Sequence, residues 1–240
     1  MNIITLLISY SFIMGWNSLL SDGSKVGDDV SQVAEKPYFT VEGVRLGDGR
    51  NYPEGMSYSG DVENGQANGR GTLVWPDGAR YTGDFKDGVQ SGLGVMESKD
   101  GTRYIGEFKD GEQTGLGTII FPDGLKYSGE VRNGWPEGQG TLLSPNGAKY
   151  AGGYKAGSPD GQGVSINGTS LFVGGYKNGL ENGIGIKIYP DGSYDIGGWQ
   201  NGVHSDMSQL SSKIREMASD MFERLNQAEM KENVEYGIHR

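Results

Sequence analysis

Cysteine is absent from this 240-residue chain, which excludes disulfides, thiol nucleophiles, Cys-ligated zinc and iron–sulfur centres. Histidine is scarce. His204 and His239 lie outside the regular part of the sequence, so no multi-His metal site can assemble there. A Ser-His-Asp triad would have to borrow His204, and a surface histidine accounts for that residue more simply. Basic side chains are in deficit: 21 Lys and Arg against 31 Asp and Glu give a net charge of −10. That balance removes the global electrostatic case for a nucleic acid or an anionic lipid surface as partner. Apolar side chains make up only 35%, too few for the thick core of an ordinary globule, whereas glycine reaches 43 residues. So much glycine is kept where backbones approach closely, turns need positive φ, or rings need room.

The glycines are periodic. Tyr58-Ser-Gly60, Tyr81-Thr-Gly83, Tyr104-Ile-Gly106, Tyr127-Ser-Gly129 and Tyr150-Ala-Gly152 fall 23 residues apart. Phe172-Val-Gly174 follows after 22 residues and Asp195-Ile-Gly197 after another 23. A second glycine sits five residues after the first (Gly65, Gly88, Gly111 and onward). Then come a Gly-x-Gly pair, as at 92/94 and 115/117, and an Asp-Gly or Asn-Gly, as at 77/78 and 123/124. The units read as hairpins. In Tyr81-Thr-Gly83-Asp-Phe85-Lys86, alternation puts Tyr81, Gly83 and Phe85 on one face and Thr82, Asp84 and Lys86 on the other. The second half, such as Thr118 to Phe121, is β-branched and aromatic. Asp-Gly and Asn-Gly suit tight turns, and the Gly-x-Gly pairs read as the start of a strand. No Gly-x-Gly pair is followed by Gly-Lys-Ser/Thr or opens a helix, so no phosphate loop, and no cofactor of any kind, is expected. Asn167-Gly-Thr169 fits a glycosylation sequon, although a turn already explains it. The expected fold is an all-β repeat: an elongated single-layer antiparallel β-meander of consecutive hairpins, with an N-terminal hydrophobic segment and a C-terminal α-helix.

Four regions follow. Residues 1–20 carry no charged side chain and are rich in Ile, Leu and Phe. They read as a signal or membrane anchor, though without a basic n-region or small-x-small site; the alternatives are a buried terminal segment or a miscalled start. Residues 21–46 form a polar linker leading into the array, which spans 47–203 as a half repeat plus about seven units. Residues 204–240 hold a helix and a tail. From Ser205 to Glu232 there is no glycine or proline, and Leu210, Ile214, Met217, Met221, Leu225 and Ala228 form one apolar stripe. The stripe is expected to cover the last sheet edge, with homodimerisation or partner binding as the alternative.

The charged face is uneven. Its fourth position is Asp61, Asp84, Glu107 and Glu130, then Gly153, Gly175 and Gly198, while the sixth stays mostly basic (Lys86, Lys109, Arg132, Lys155, Lys177). It reads as a solvated face of weak ion pairs; the sharper reading is that the Gly-rich half admits a partner's backbone.

Tyr-x-Gly-x(4)-Gly-x(3)-Gly-x-Gly, as at Tyr104 to Gly117 and Tyr127 to Gly140, resembles the MORN (membrane occupation and recognition nexus) repeat. The resemblance covers roughly 47–203. It departs at Phe172, at Asp195 with Tyr194 beside it, and in the shortened unit around Val164 to Ser170. It implies an assembly, scaffold or lipid-associating module, often joined to another domain. The 37 residues after the repeats leave no room for the kinase or SET methyltransferase domains that some relatives carry. A non-enzymatic protein-binding scaffold, exported or membrane-associated through residues 1–20, is therefore expected, with a phospholipid-headgroup module as the alternative. The candidate partner-binding aromatics are Tyr81, Phe85, Tyr104, Phe108, Tyr127, Tyr150, Tyr154 and Tyr176, on the premise that a single-layer sheet leaves part of its aromatic face open, and Trp135, which sits at an expected loop beside Pro136 where neighbouring units have Glu112 or Val89.

Overall fold

The computed structural model describes residues 54–205. The leader, the linker and the C-terminal stripe from Leu210 to Ala228 lie outside the described residues. The strands are β1 (Ser57–Glu63), β2 (Gln66–Val74), β3 (Arg80–Lys86), β4 (Val89–Glu97), β5 (Arg103–Lys109), β6 (Glu112–Ile120), β7 (Lys126–Arg132) and β8 (Trp135–Leu143). They continue as β9 (Lys149–Lys155), β10 (Ser158–Asn167), β11 (Ser170–Lys177), β12 (Leu180–Ile188), β13 (Tyr194–Gln200) and β14 (Val203–Ser205). All fourteen join one sheet in sequence order, and no helix occurs among the described residues. Ser205, the first residue of the stretch without glycine or proline, ends β14. Among the described residues, contacts separate an N-terminal unit (54–147 with 154–157) from a C-terminal unit (148–153 with 158–205).

Two turn types alternate. The tight two-residue turns lie at the second glycine of each repeat, where Asn64-Gly65, Asp87-Gly88 and their equivalents both have positive φ, for example 50° and 82° at Asp87-Gly88. Such mirror-image turns match the twist of the strands they join. Each later glycine also donates its N–H to the preceding hairpin, as Gly88 to the Ala67 carbonyl (2.9 Å) and Gly134 to that of Gln113 (3.1 Å), so the turns are tied into a row. The later Asp-Gly dipeptides, such as 77/78 and 123/124, expected to make tight turns, form wider ones. At Trp75-Pro76-Asp77-Gly78 only the glycine has positive φ; Gly78 donates to the Trp75 carbonyl (3.0 Å), and the Asp77 carboxylate accepts from Ala79 N–H (3.0 Å). Proline and the Asx bond hold that turn without a left-handed aspartate.

The Gly-x-Gly pairs do not start strands; they lie within them. In β4, Gly94 pairs with Gly83 and Gln90 with Phe85, so Ser91, Gly92 and Leu93 oppose Asp84 alone. This bulge recurs between β1 and β2, β5 and β6, and β7 and β8 in the N-terminal unit, and between β11 and β12 in the other. The first glycine of the pair supplies the positive φ the bulge needs, 64° at Gly92.

Candidate binding surface

The leading tyrosine does not stand up from the sheet. Tyr81 lies along β3 over Gly83 and over Gly94 on β4; a Cβ at Gly94 would overlap its ring, and one at Gly83 would overlap its hydroxyl and the β4 backbone. Its hydroxyl donates to the Asp84 carbonyl three residues on (2.7 Å). The same bond recurs from Tyr58 to Asp61 (2.8 Å), Tyr104 to Glu107 (2.9 Å), Tyr127 to Glu130 (2.6 Å) and Tyr150 to Gly153 (3.0 Å). Burial, reinforced by the neighbouring carboxylates of Asp84, Glu107 and Glu130, raises the phenol pKa of Tyr81, Tyr104 and Tyr127 well above its ordinary value. Burial pushes the Tyr176 phenol up to about 12.

The ring four residues on stands edge-to-face against two such tyrosines. Phe85 meets Tyr58 and Tyr81 at 5.1 Å each, and Phe108 meets Tyr81 at 4.7 Å and Tyr104 at 5.2 Å. Val131 replaces the ring in the fourth unit, and Tyr127 packs instead on Tyr154 at 5.0 Å. In the C-terminal unit Tyr176 meets Tyr150 at 4.8 Å and Phe172 at 5.4 Å, and Phe172 meets Trp199 at 5.0 Å. Each pair adds about 0.5–1.5 kcal/mol beyond its buried area. Within each unit these interlocked rings form the core among the described residues.

The candidate residues divide accordingly. Tyr81, Phe85, Tyr104, Phe108, Tyr127, Tyr150, Tyr154 and Tyr176 are all buried, which corrects the premise of an open aromatic face. Glycine lets one ring lie flat and the next ring closes over it, so a single layer buries this face by itself. Trp135 is different. It opens β8 directly after the tight turn Asn133-Gly134, pairs across strands with Arg132 and remains 64% exposed beside Gly157 of the next tight turn. His204 is exposed, its ring 4.6 Å from that of Trp199.

The acidic row does more than line a solvated face. The carboxylates of Asp61, Asp84, Glu107 and Glu130 turn back over the bulge glycines and accept the backbone N–H of Arg70 (3.0 Å), Leu93 (3.2 Å), Leu116 (3.2 Å) and Gln139 (2.9 Å). They cap the bulges. Asp84 also lies 3.6 Å from the Arg70 guanidinium. In the C-terminal unit a Cβ at Gly153 or Gly175 would overlap the carbonyl of Asp160 or Asn182. The space there is filled by the chain's own next strand, which corrects the reading that glycine makes room for a partner's backbone. Hairpin chemistry hid this in the sequence: Asp or Glu at that position looks like any exposed strand residue until the bulge aims an unpaired N–H at it.

An open polar hollow of about 640 Å³ lies in the C-terminal unit between Lys177, Leu180, Asn182 and Trp199. Among the described residues no group of His, Asp and Glu is arranged to hold a metal.

The MORN repeat family matches residues 58–80, 81–103, 104–126, 127–149, 150–169 and 172–194, more than half of the chain. The chain belongs to the MORN repeat family. Its array is thus a repeat-built module of the binding and scaffolding kind. No curated protein matches it. Among solved structures, it resembles the G-box domain of the microcephaly protein CPAP (15% identity, 60% of this chain and 75% of that one, TM-score 0.39). It also resembles the TCP domain of Drosophila melanogaster SAS-4, solved with a proline-rich motif of Ana2 (14%, 69% and 84%, TM-score 0.38). A third is the TCP10 domain of Danio rerio CPAP, solved with a STIL peptide (17%, 58% and 68%, TM-score 0.25). With TM-scores below 0.5, these likenesses carry nothing over to the present chain.

Proposed function

We propose that the MORN array is a protein-binding scaffold that presents its tight-turn edge to a protein partner, with Trp135 as the anchor. The exposure of Trp135 carries this reading, because every other ring of the N-terminal ladder is used up in the core. Tryptophan and arginine dominate the energetics of protein interfaces, and Trp135 stands beside Arg132. The exposed Lys86, Lys109 and Lys155 occupy the same position before their own tight turns, which makes this edge of the N-terminal unit suited to an acidic segment carrying an apolar side chain. The hydrogen-bonded row of turns keeps the edge rigid, so little ordering cost opposes binding. Residues 1–20 would deliver the module to a membrane or out of the cell.

The same basic row favours a second reading, in which the edge binds phospholipid headgroups, although Asp87 and Asp110 in those turns and the net charge of −10 oppose it. Affinity capture with the full chain, comparing wild type with Trp135→Ala and with Trp75→Ala on a wide turn, tests the first. A protein retained by wild type and Trp75→Ala but lost with Trp135→Ala is expected; equal recovery by all three rejects Trp135 as the anchor. Co-sedimentation with vesicles of increasing anionic lipid tests the second, and binding that rises with anionic content would reverse the order of the two.

A further inference from the structure

The face opposite the rings changes chemistry between the two units. In the N-terminal unit one cross-strand row on this face runs Arg80, Glu97, Arg103, Ile120, Lys126, and the row beside it runs Thr72, Thr82, Val95, Ile105, Thr118, Ser128. Charges and hydroxyls interrupt both, with Thr72 and Thr82 hydroxyls 3.0 Å apart. In the C-terminal unit the same two rows are Ile166, Leu171, Ile188, Tyr194 and Val164, Val173, Ile186, Ile196 across β10 to β13. No charge breaks either row, the one hydroxyl is that of Tyr194 at the β13 end, and Val164, Ile166, Leu171, Val173 and Ile188 form one packed cluster.

We propose that this aliphatic face is the seat of the chain's own C-terminal segment, residues 206–228, docked as an amphipathic helix across β10 to β13. Three observations select this occupant. The described chain ends at Ser205, which pairs with Gly198, and Gly198 pairs with Ile184 in register with the patch, so the segment sets out from beside it. The dimensions agree: the two rows lie about 7 Å apart and the four strands span about 14 Å, within reach of a helix about 10 Å wide whose stripe from Leu210 to Leu225 extends about 22 Å. The chemistry agrees as well. Ile214, Met217 and Met221 are aliphatic and adaptable, whereas Lys213, Arg215, Glu216 and Asp220 fall off the stripe and stay in water. The corresponding rows of the N-terminal unit would bury Arg103 and Lys126 against the same stripe, which disfavours that site. This docking covers the flat face, not the sheet edge, and is independent of the role assigned to Trp135.

The absence of cysteine gives a clean background for the test. In the full chain, Val173→Cys is combined with Leu210→Cys, Met217→Cys or Leu225→Cys on the stripe, or with Ser219→Cys on the opposite side of the helix, and oxidised at micromolar concentration. At least one stripe pair is expected to close an intrachain disulfide about tenfold faster than the Ser219 pair, because docking raises the effective concentration of the two thiols to about millimolar. Equal rates for all pairs overturn the proposal, and linkage only between chains overturns it in favour of a second copy. Hydrogen exchange on cysteine-free protein provides an independent reading: residues 206–228 should be protected in wild type and lose protection in Val173→Lys. A segment that exchanges freely in wild type, or is equally protected in both, overturns the proposal.

Discussion

The N-terminal and C-terminal units share a skeleton and differ in how they finish it. Both lay an aromatic ring over paired glycines, and both use tight turns with two positive φ values. In the N-terminal unit the strand bulge is closed by a side chain, since Asp84 and Glu107 reach back to backbone N–H groups. In the C-terminal unit Gly153 and Gly175 leave no side chain there, and the neighbouring strand comes close enough that none would fit. On the other face the first unit carries threonine and charge where the second carries valine, isoleucine and leucine. The ring ladder is therefore the fixed element of the MORN unit, and the positions around the bulge and on the opposite face are where one stretch of array is made unlike another.

Breaking the shared element should cost most. Tyr104→Ala and Phe172→Ala should each destabilise by about 3–5 kcal/mol, measured by urea denaturation, since both side chains are buried to within a few percent. A nearly neutral effect in one unit would show that the ladder is not common to both. Next comes the bulge. Gly175→Asp copies the N-terminal chemistry into the C-terminal unit and should cost about 1–3 kcal/mol through the clash with the Asn182 carbonyl, whereas a gain in stability would mean that the two bulges are interchangeable. In the N-terminal unit Glu107→Ala should cost about 1 kcal/mol by leaving the Leu116 N–H without its carboxylate, and Glu107→Gln should restore most of that.

Alkaline titration compares the units without mutation. The folded-state pKa of Tyr176 is about 12, above the ordinary phenol value of 10.0, so its contribution is complete below pH 10 and is lost as pH rises from 10 to about 12. Tyr81, Tyr104 and Tyr127 are shifted in the same direction for the same reason, so the thermal midpoint should fall steadily above pH 10. Replacing Tyr104 by Phe should flatten that fall, and an unchanged slope would mean its phenol does not resist ionisation. The smallest effect belongs to the opposite face: Thr118→Val and Val173→Thr should each shift stability by no more than about 1 kcal/mol, with only the second unfavourable.

The sequence by itself determined the period, the two strands per unit, the antiparallel order and the pairing of a ring with glycines. These are local: a period of two, turn residues and ring spacing act within one hairpin and need no distant contact. Trp135 was also legible, as a bulky ring in a place where other units have Val89 or Glu112. What only the tertiary structure decided is which features the neighbouring strand consumes. The register puts Gly94 beneath Tyr81 and aims the Leu93 N–H at Asp84, turning an aromatic row into core and an acidic row into caps. It also aligns Val164, Val173, Ile186 and Ile196, scattered over 33 residues, into one continuous strip. Cross-strand register is a property of two strands at once, and neither strand's sequence displays it alone.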